Sequence, residues 1–147
     1  MSGTAAVPRP ALWLGLSGLI PFAGLAALIW LTPDQQDLMA PILTGYGVVI
    51  LSFMGGCRWG LAAAGMGDGA AFGPLALSVI PALYAWVVAL LPDGQAQILL
   101  AVGLMALLVA DLRLARLGGA PAWWPALRWP LSLGATGSLL AGAAAIA

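Results

Sequence analysis

Ionisable side chains are scarce in this sequence, and their positions leave five long gaps. The charges are Arg9, Arg58, Arg113, Arg116 and Arg128, with Asp34, Asp37, Asp68, Asp93 and Asp111. Between them lie the charge-free blocks Pro10–Pro33, Leu38–Cys57, Gly69–Pro92, Gly94–Ala110 and Trp129–Ala147, of 24, 20, 24, 17 and 19 residues, while no other such stretch exceeds 11. A helix crossing a hydrocarbon core of about 30 Å needs about 20 apolar residues. The spacing therefore predicts five transmembrane helices: about Ala11–Leu31, Pro41–Leu61, Phe72–Leu91, Gln97–Leu117 and Trp129–Ile146. The blocks are unbroken apolar runs rather than alternating ones, which argues against a membrane β-barrel. Composition agrees. Charged types make up 7% and hydrophobic types 63%, against about 25% and 45–50% in an ordinary soluble domain. Ten charges cannot cover the surface of a water-soluble globule, and the apolar excess excludes disorder.

The arginines orient the chain. With five crossings, the N-terminus, the second loop and the fourth loop share one side. Arg9, Arg58, Arg113, Arg116 and Arg128 all fall there, whereas Asp34, Asp37 and Asp93 fall opposite. The positive-inside rule then puts the N-terminus inside and the C-terminus outside. Trp13, Trp59, Trp123, Trp124 and Trp129 read as anchors at the inner interface and Trp30 at the outer one. The Pro- and Trp-rich fourth loop, Gly118 to Arg128, is expected to resist helix formation and lie along the inner surface. The first block runs apolar to Leu31, longer than a signal-peptide core, so it reads as a span. No segment between the helices is long enough for a second domain.

Two charges are drawn inward. Ile98 to Ala110 covers only about 20 Å at 1.5 Å per residue, so the fourth span must run on through Asp111 towards Leu117. Pro41 to Arg58 covers about 25 Å, which places Arg58 just inside the same boundary. Charges at that depth usually find partners within the bundle, and the expectation is an Arg58–Asp111 pair across the second and fourth spans. Such a pair serves as a bundle lock or as a polar site for a ligand, a proton or a lipid headgroup. A third alternative leaves Arg58 snorkelling to the interface while Asp111 bonds elsewhere or is protonated.

Two stripes of small residues recur every four positions: Ser52, Gly56 and Gly60 on the second span, and Gly134, Ser138 and Gly142 on the fifth. Such stripes let helix backbones approach closely in lipid. They are expected to pack these two spans together, with a homodimer seam as the alternative. Leu19-Ile-Pro21 before Pro33-Asp, and Val79-Ile-Pro81 before Pro92-Asp, form a faint repeat. It puts Pro21 and Pro81 at matched depth, where each is expected to kink its helix. Catalytic chemistry is thin. Without His or Glu, zinc, haem and di-iron sites lose their usual ligands, and a Ser-His-Asp triad is impossible. The single Cys57 allows no intrachain disulfide and reads as a helix-buried structural thiol. Tyr46, Tyr84 and Ser52 read as ordinary bundle polar groups, and Gly65-Met-Gly-Asp-Gly69 as a turn between spans.

The segment Tyr46-Gly-Val-Val-Ile-Leu-Ser-Phe-Met-Gly-Gly-Cys-Arg-Trp-Gly60 resembles the signature of the transmembrane protein 69-like family, domain of unknown function 3429. Leu14-Gly-Leu-Ser-Gly-Leu-Ile-Pro-Phe22 resembles that family's first helix, and Trp124-Pro-Ala-Leu-Arg128 its approach to the last one. The resemblance covers most of the chain. It implies a small polytopic protein of bacterial or mitochondrial inner membranes, and it singles out Gly55, Gly56, Gly60 and the Arg58-Trp59 pair. In the family the position of Arg58 takes His or Arg, so a His-dependent role does not carry over. The family brings no established activity or substrate.

The reading is an all-α polytopic bundle, one integral membrane domain over residues 1–147. It is expected in a bacterial inner membrane with the N-terminus cytoplasmic and the C-terminus periplasmic. The expected role is a non-enzymatic accessory, assembly or structural component acting through helix contacts. The alternative is a small-solute or ion transporter working as an oligomer around Arg58 and Asp111, with an intramembrane lipid enzyme ranked last. No catalytic residue, metal or cofactor is expected. The partners are the bilayer and either a second copy or a larger membrane complex. Net charge zero gives no support for nucleic acid.

Overall fold

The computed structural model describes residues 6–68 and 70–147. Among these residues it is all-helical, with no strand. The helices are α1 (Arg9–Ser17), α2 (Leu19–Leu31), α3 (Gln36–Ala63), α4 (Phe72–Val88), α5 (Asp93–Arg116) and α6 (Trp124–Ala145). Among the described residues, three helical stretches are long and apolar enough to cross a membrane: Arg9–Leu31, Pro33–Ala63 and Asp93–Arg116; Phe72–Val88 is a shorter apolar helix. α6 is not among these stretches; Arg128, with Trp124, Pro125, Trp129 and Pro130, gathers in its first seven residues.

The prolines explain the break between α1 and α2. Pro21 has no N–H for the Ser17 carbonyl, and the helix is interrupted at Gly18. Tyr46 of α3 donates its phenol proton to the Gly18 carbonyl (2.8 Å), bracing the break from a neighbouring helix. The matched residue behaves differently: α4 runs unbroken through Pro81, so the expected kink there takes no such form. Pro41 likewise lies inside α3 and does not start it.

The fourth loop is shorter than expected. The segment Trp124-Pro-Ala-Leu-Arg128 is the first turn of α6 rather than an interfacial coil. Pro125 sits in that turn, where its missing N–H has no intrahelical partner to lose. Both neighbouring helix ends close through left-handed glycines. Gly65 (φ +80°) follows α3, and Gly118 (φ +77°) follows α5. Met66 N–H bonds Leu61 O (3.1 Å) and Gly119 N–H bonds Leu114 O (2.9 Å), the six-to-one bond of a Schellman cap. Gly65 and Gly67 (φ +64°) thus belong to the expected turn; Gly69 lies outside the described residues.

Inside, α5 packs on α6 and α3, α3 on α4, and α2 on both α6 and α3. Phe22, Ile29, Leu43, Leu51, Leu100, Leu104, Leu108 and Leu139 fill the core. The outer face is apolar too: Trp13, Leu31, Phe72, Leu90 and Leu117 are each more than 70% exposed. A water-soluble monomer rarely exposes contiguous apolar surface of this kind.

Candidate functional site: a buried arginine–aspartate–arginine cluster

Asp111 lies on the inward face of α5 and is fully buried. Arg58 of α3 donates from Nη1 to Asp111 Oδ1 (2.7 Å), and Arg128 of α6 donates from Nε to Asp111 Oδ2 (2.8 Å). One carboxylate thus joins three helices. Distances below 2.9 Å are those of charge-assisted bonds. The side chains of Arg58, Arg128 and Asp111 are 14%, 3% and 0% exposed, so only Arg58 reaches the surface. Two guanidiniums share one carboxylate, which leaves the cluster with one formal positive charge in excess.

Depth arithmetic brings Arg58 to Asp111, but it misses Arg128. The sequence places that residue beside an interfacial loop; the structure buries it in the bundle. The signal that would have found it is helical spacing. Trp124, Arg128, Ser132 and Thr136 fall four residues apart on α6, and each has a buried polar atom with no hydrogen-bond partner among the described residues. Trp124, expected as an interface anchor, is buried on this row, and its ring stands against Trp123 at 5.7 Å between centroids. Trp13, Trp30, Trp59 and Trp129 are exposed.

Two cavities meet at Arg58. One, of about 350 Å³, lies between α3, α4 and α5 and is lined by apolar side chains, Tyr84 and Arg58. The other, of about 440 Å³, continues from it past Leu77 and Ala110 to Arg113 and Asp68. Tyr84 spans the first cavity's wall, donating to the Leu99 carbonyl (2.8 Å).

The small-residue stripes diverge, correcting the expectation that they pack against each other. On α6 the stripe faces inward. A Cβ on Gly134 would meet Leu19 at 2.9 Å, one on Gly142 would meet Leu43 at 2.5 Å, and Ser138 donates to Gly134 O (2.9 Å). On α3, Gly56 and Gly60 are exposed with nothing within 4 Å of an added Cβ, while Ser52 is half-buried. The α3 glycines that do pack are Gly47, against Leu100 and Leu139, and Gly55, whose Cβ would lie 2.6 Å from Ser78 O beside Pro81. The segment Gly55-Gly-Cys-Arg-Trp-Gly60 therefore points three ways: Gly55 to α4, Arg58 to Asp111, and Gly56, Trp59 and Gly60 outward. Cys57 is half-buried. At the opposite end, Thr44 Oγ1 lies 2.7 Å from Asp93 Oδ1 and accepts from the buried Gln97 Nε2 (3.3 Å). No group of three or more potential metal-ligating side chains occurs among the described residues.

The model of a family described as protein of unknown function (DUF3429) matches residues 7–144. The chain is similar to Transmembrane protein 69 of Xenopus tropicalis, 40% identical over 139 residues, which cover 90% of this chain and 53% of the relative. It is 34% identical over 127 residues to Transmembrane protein 69 of Mus musculus, covering 82% of this chain and 50% of that protein. The chain thus spans about half the length of these curated relatives. No solved structure matches.

Proposed function

We propose a function from the premise that this chain belongs to the DUF3429 family, whose matched relatives are named transmembrane proteins. It is a membrane protein. In our reading it crosses a bacterial inner membrane five times: Arg9–Leu31 as one span, then α3, α4, α5 and α6. Arg9, Arg113 and Arg116 remain exposed at one end, which supports a cytoplasmic N-terminus and a periplasmic C-terminus.

Its role in this reading is that of a non-enzymatic accessory or assembly component that works through helix contacts. One observation carries it: Gly56 and Gly60 form a stripe on α3 that the fold itself leaves unpacked. In lipid, an exposed glycine stripe is where another helix backbone comes closest. The simplest occupant is a second copy of this chain, and a larger membrane complex is the other. The experiment is purification in mild detergent with reporter tags on both termini. Tags on opposite sides of the membrane and an association abolished by Gly56→Leu are expected. A stable monomer with no partner refutes the role; tags in one compartment refute the topology.

A second reading, a small-solute or ion transporter, is favoured by the two cavities that meet at Arg58. Liposome flux lost in Arg58→Gln, which keeps the Asp111–Arg128 pair, supports it, and no flux across a broad substrate panel counts against it.

A further inference from the structure

We propose that the furrow between α4 and α5 is a binding site for one anionic phospholipid, with its phosphate at Arg58 and Arg113 and an acyl chain along the apolar cavity. This deepens the second reading by naming a ligand class, and it rests on the membrane-spanning reading but not on association.

Three observations converge. The first is shape and polarity. The two cavities share Arg58, Leu77 and Ala110, so they form a single furrow. Its deeper part is lined almost wholly by hydrocarbon, including Leu51, Ile80 and Val102, and its outer part ends among charged groups. A lipid has the same division along its length.

The second is charge. The buried cluster holds one positive charge in excess, and Arg58 is the member that opens on the furrow. A guanidinium has five N–H donors; among the described residues Arg58 uses one side-chain bond, to Asp111. Arg113, exposed in the last turn of α5, lines the same cavity. Asp68 also lines it, so the furrow's end carries two cations and one anion, with the excess on the cationic side. A phosphate diester neutralises that excess and accepts from a planar fork in the geometry arginine favours.

The third is depth. Arg58 lies five residues before the end of α3 at Ala63, about 8 Å along the axis. That is within reach of the headgroup layer for a long side chain.

The test is native mass spectrometry of the full chain taken from vesicles of four parts phosphatidylcholine to one part phosphatidylglycerol. The wild type is expected to retain phosphatidylglycerol selectively. Arg113→Gln alters an exposed residue outside the buried cluster, and should lower that preference about fivefold, the factor one basic residue near an anionic surface contributes. Ala110→Phe fills the joint between the cavities without changing charge, and should displace bound lipid of either kind. Helicity and tryptophan emission check that each variant folds. Equal retention of the two lipids by the wild type overturns the proposal, as does an unchanged preference in folded Arg113→Gln. Displacement of phosphatidylglycerol by inorganic phosphate, with retention blind to Ala110→Phe, reassigns the site to free phosphate and overturns it too. Termini found in one compartment would refute the spanning topology separately.

Discussion

Removing Asp111 should damage this protein far more than removing either arginine alone, and the structure says by how much. Asp111 is 0% exposed and bonds two guanidiniums, one of them 3% exposed. Asp111→Asn leaves two buried cations with no counter-charge. Stranding a buried charge by deleting its partner costs about 3–5 kcal/mol. Arg58→Gln is different in kind: it leaves the neutral Asp111–Arg128 pair and removes one bond from the member nearest the surface. Its cost should be about 1–2 kcal/mol, the upper range for polar contacts between membrane helices. At about 3 °C per kcal/mol for a chain of this size, thermal unfolding in detergent, followed by tryptophan emission, should fall by about 10 °C in the first variant and by only a few degrees in the second. The charge swap Arg58→Asp with Asp111→Arg should not restore stability, because the guanidinium introduced at position 111 faces Arg128. The triple replacement Arg58→Met, Asp111→Leu, Arg128→Met should fold at or above wild-type stability, since well-packed apolar groups often match a buried ionic cluster. An Asp111→Asn variant as stable as Arg58→Gln would refute the shared-carboxylate reasoning.

Adjacent glycines on α3 should respond oppositely to one methyl group. Gly55→Ala drives a Cβ to 2.6 Å from a backbone oxygen of α4 and should cost about 1–3 kcal/mol, whereas Gly56→Ala meets nothing within 4 Å and should leave unfolding unchanged or raise it by up to about 1 kcal/mol. Tyr46→Phe removes the bond to the Gly18 carbonyl and should lower stability by about 0.5–1.5 kcal/mol, with faster amide exchange around the α1–α2 break as the local readout.

The existence of the helices was legible because charge is so costly in lipid that its gaps outline the elements. Their ends were not. The spacing starts the second span at Pro41 and the fourth at Gln97, yet α3 begins at Gln36 and α5 at Asp93, where an acidic side chain in the first turn suits the helix N-terminus. Proline misled most at α6: Trp124-Pro125 reads as a breaker, but in a first turn proline is tolerated. Arg128 therefore reads as interfacial in the sequence, although α6 begins four residues before it. The stripes show the same limit in another form. Four-residue spacing establishes that Ser52, Gly56 and Gly60 share a face, and says nothing of which way the face points. Its direction depends on α4, which takes Gly55, and on α5 and α6, which take Gly47.

The composition of the cluster bears on what it is for. Helices in lipid gain nothing from hydrophobic exclusion of one another, so packing and polar contacts decide which faces meet. For that purpose one buried neutral pair is enough, and Asp111 with Arg128 is such a pair, linking α5 to α6 at almost zero exposure. The α3–α5 contact already has small-residue packing of its own, through Gly47 against Leu100 and Gly103 against Leu51. Arg58 is therefore surplus to registry. It adds a second cation where a neutral pair stood, and desolvating that cation offsets much of what its bond to Asp111 contributes; it does so on the side where the furrow opens. A charge that the fold does not need, aimed at a cavity with a hydrocarbon floor, fits a site for an anion with a tail better than it fits a lock.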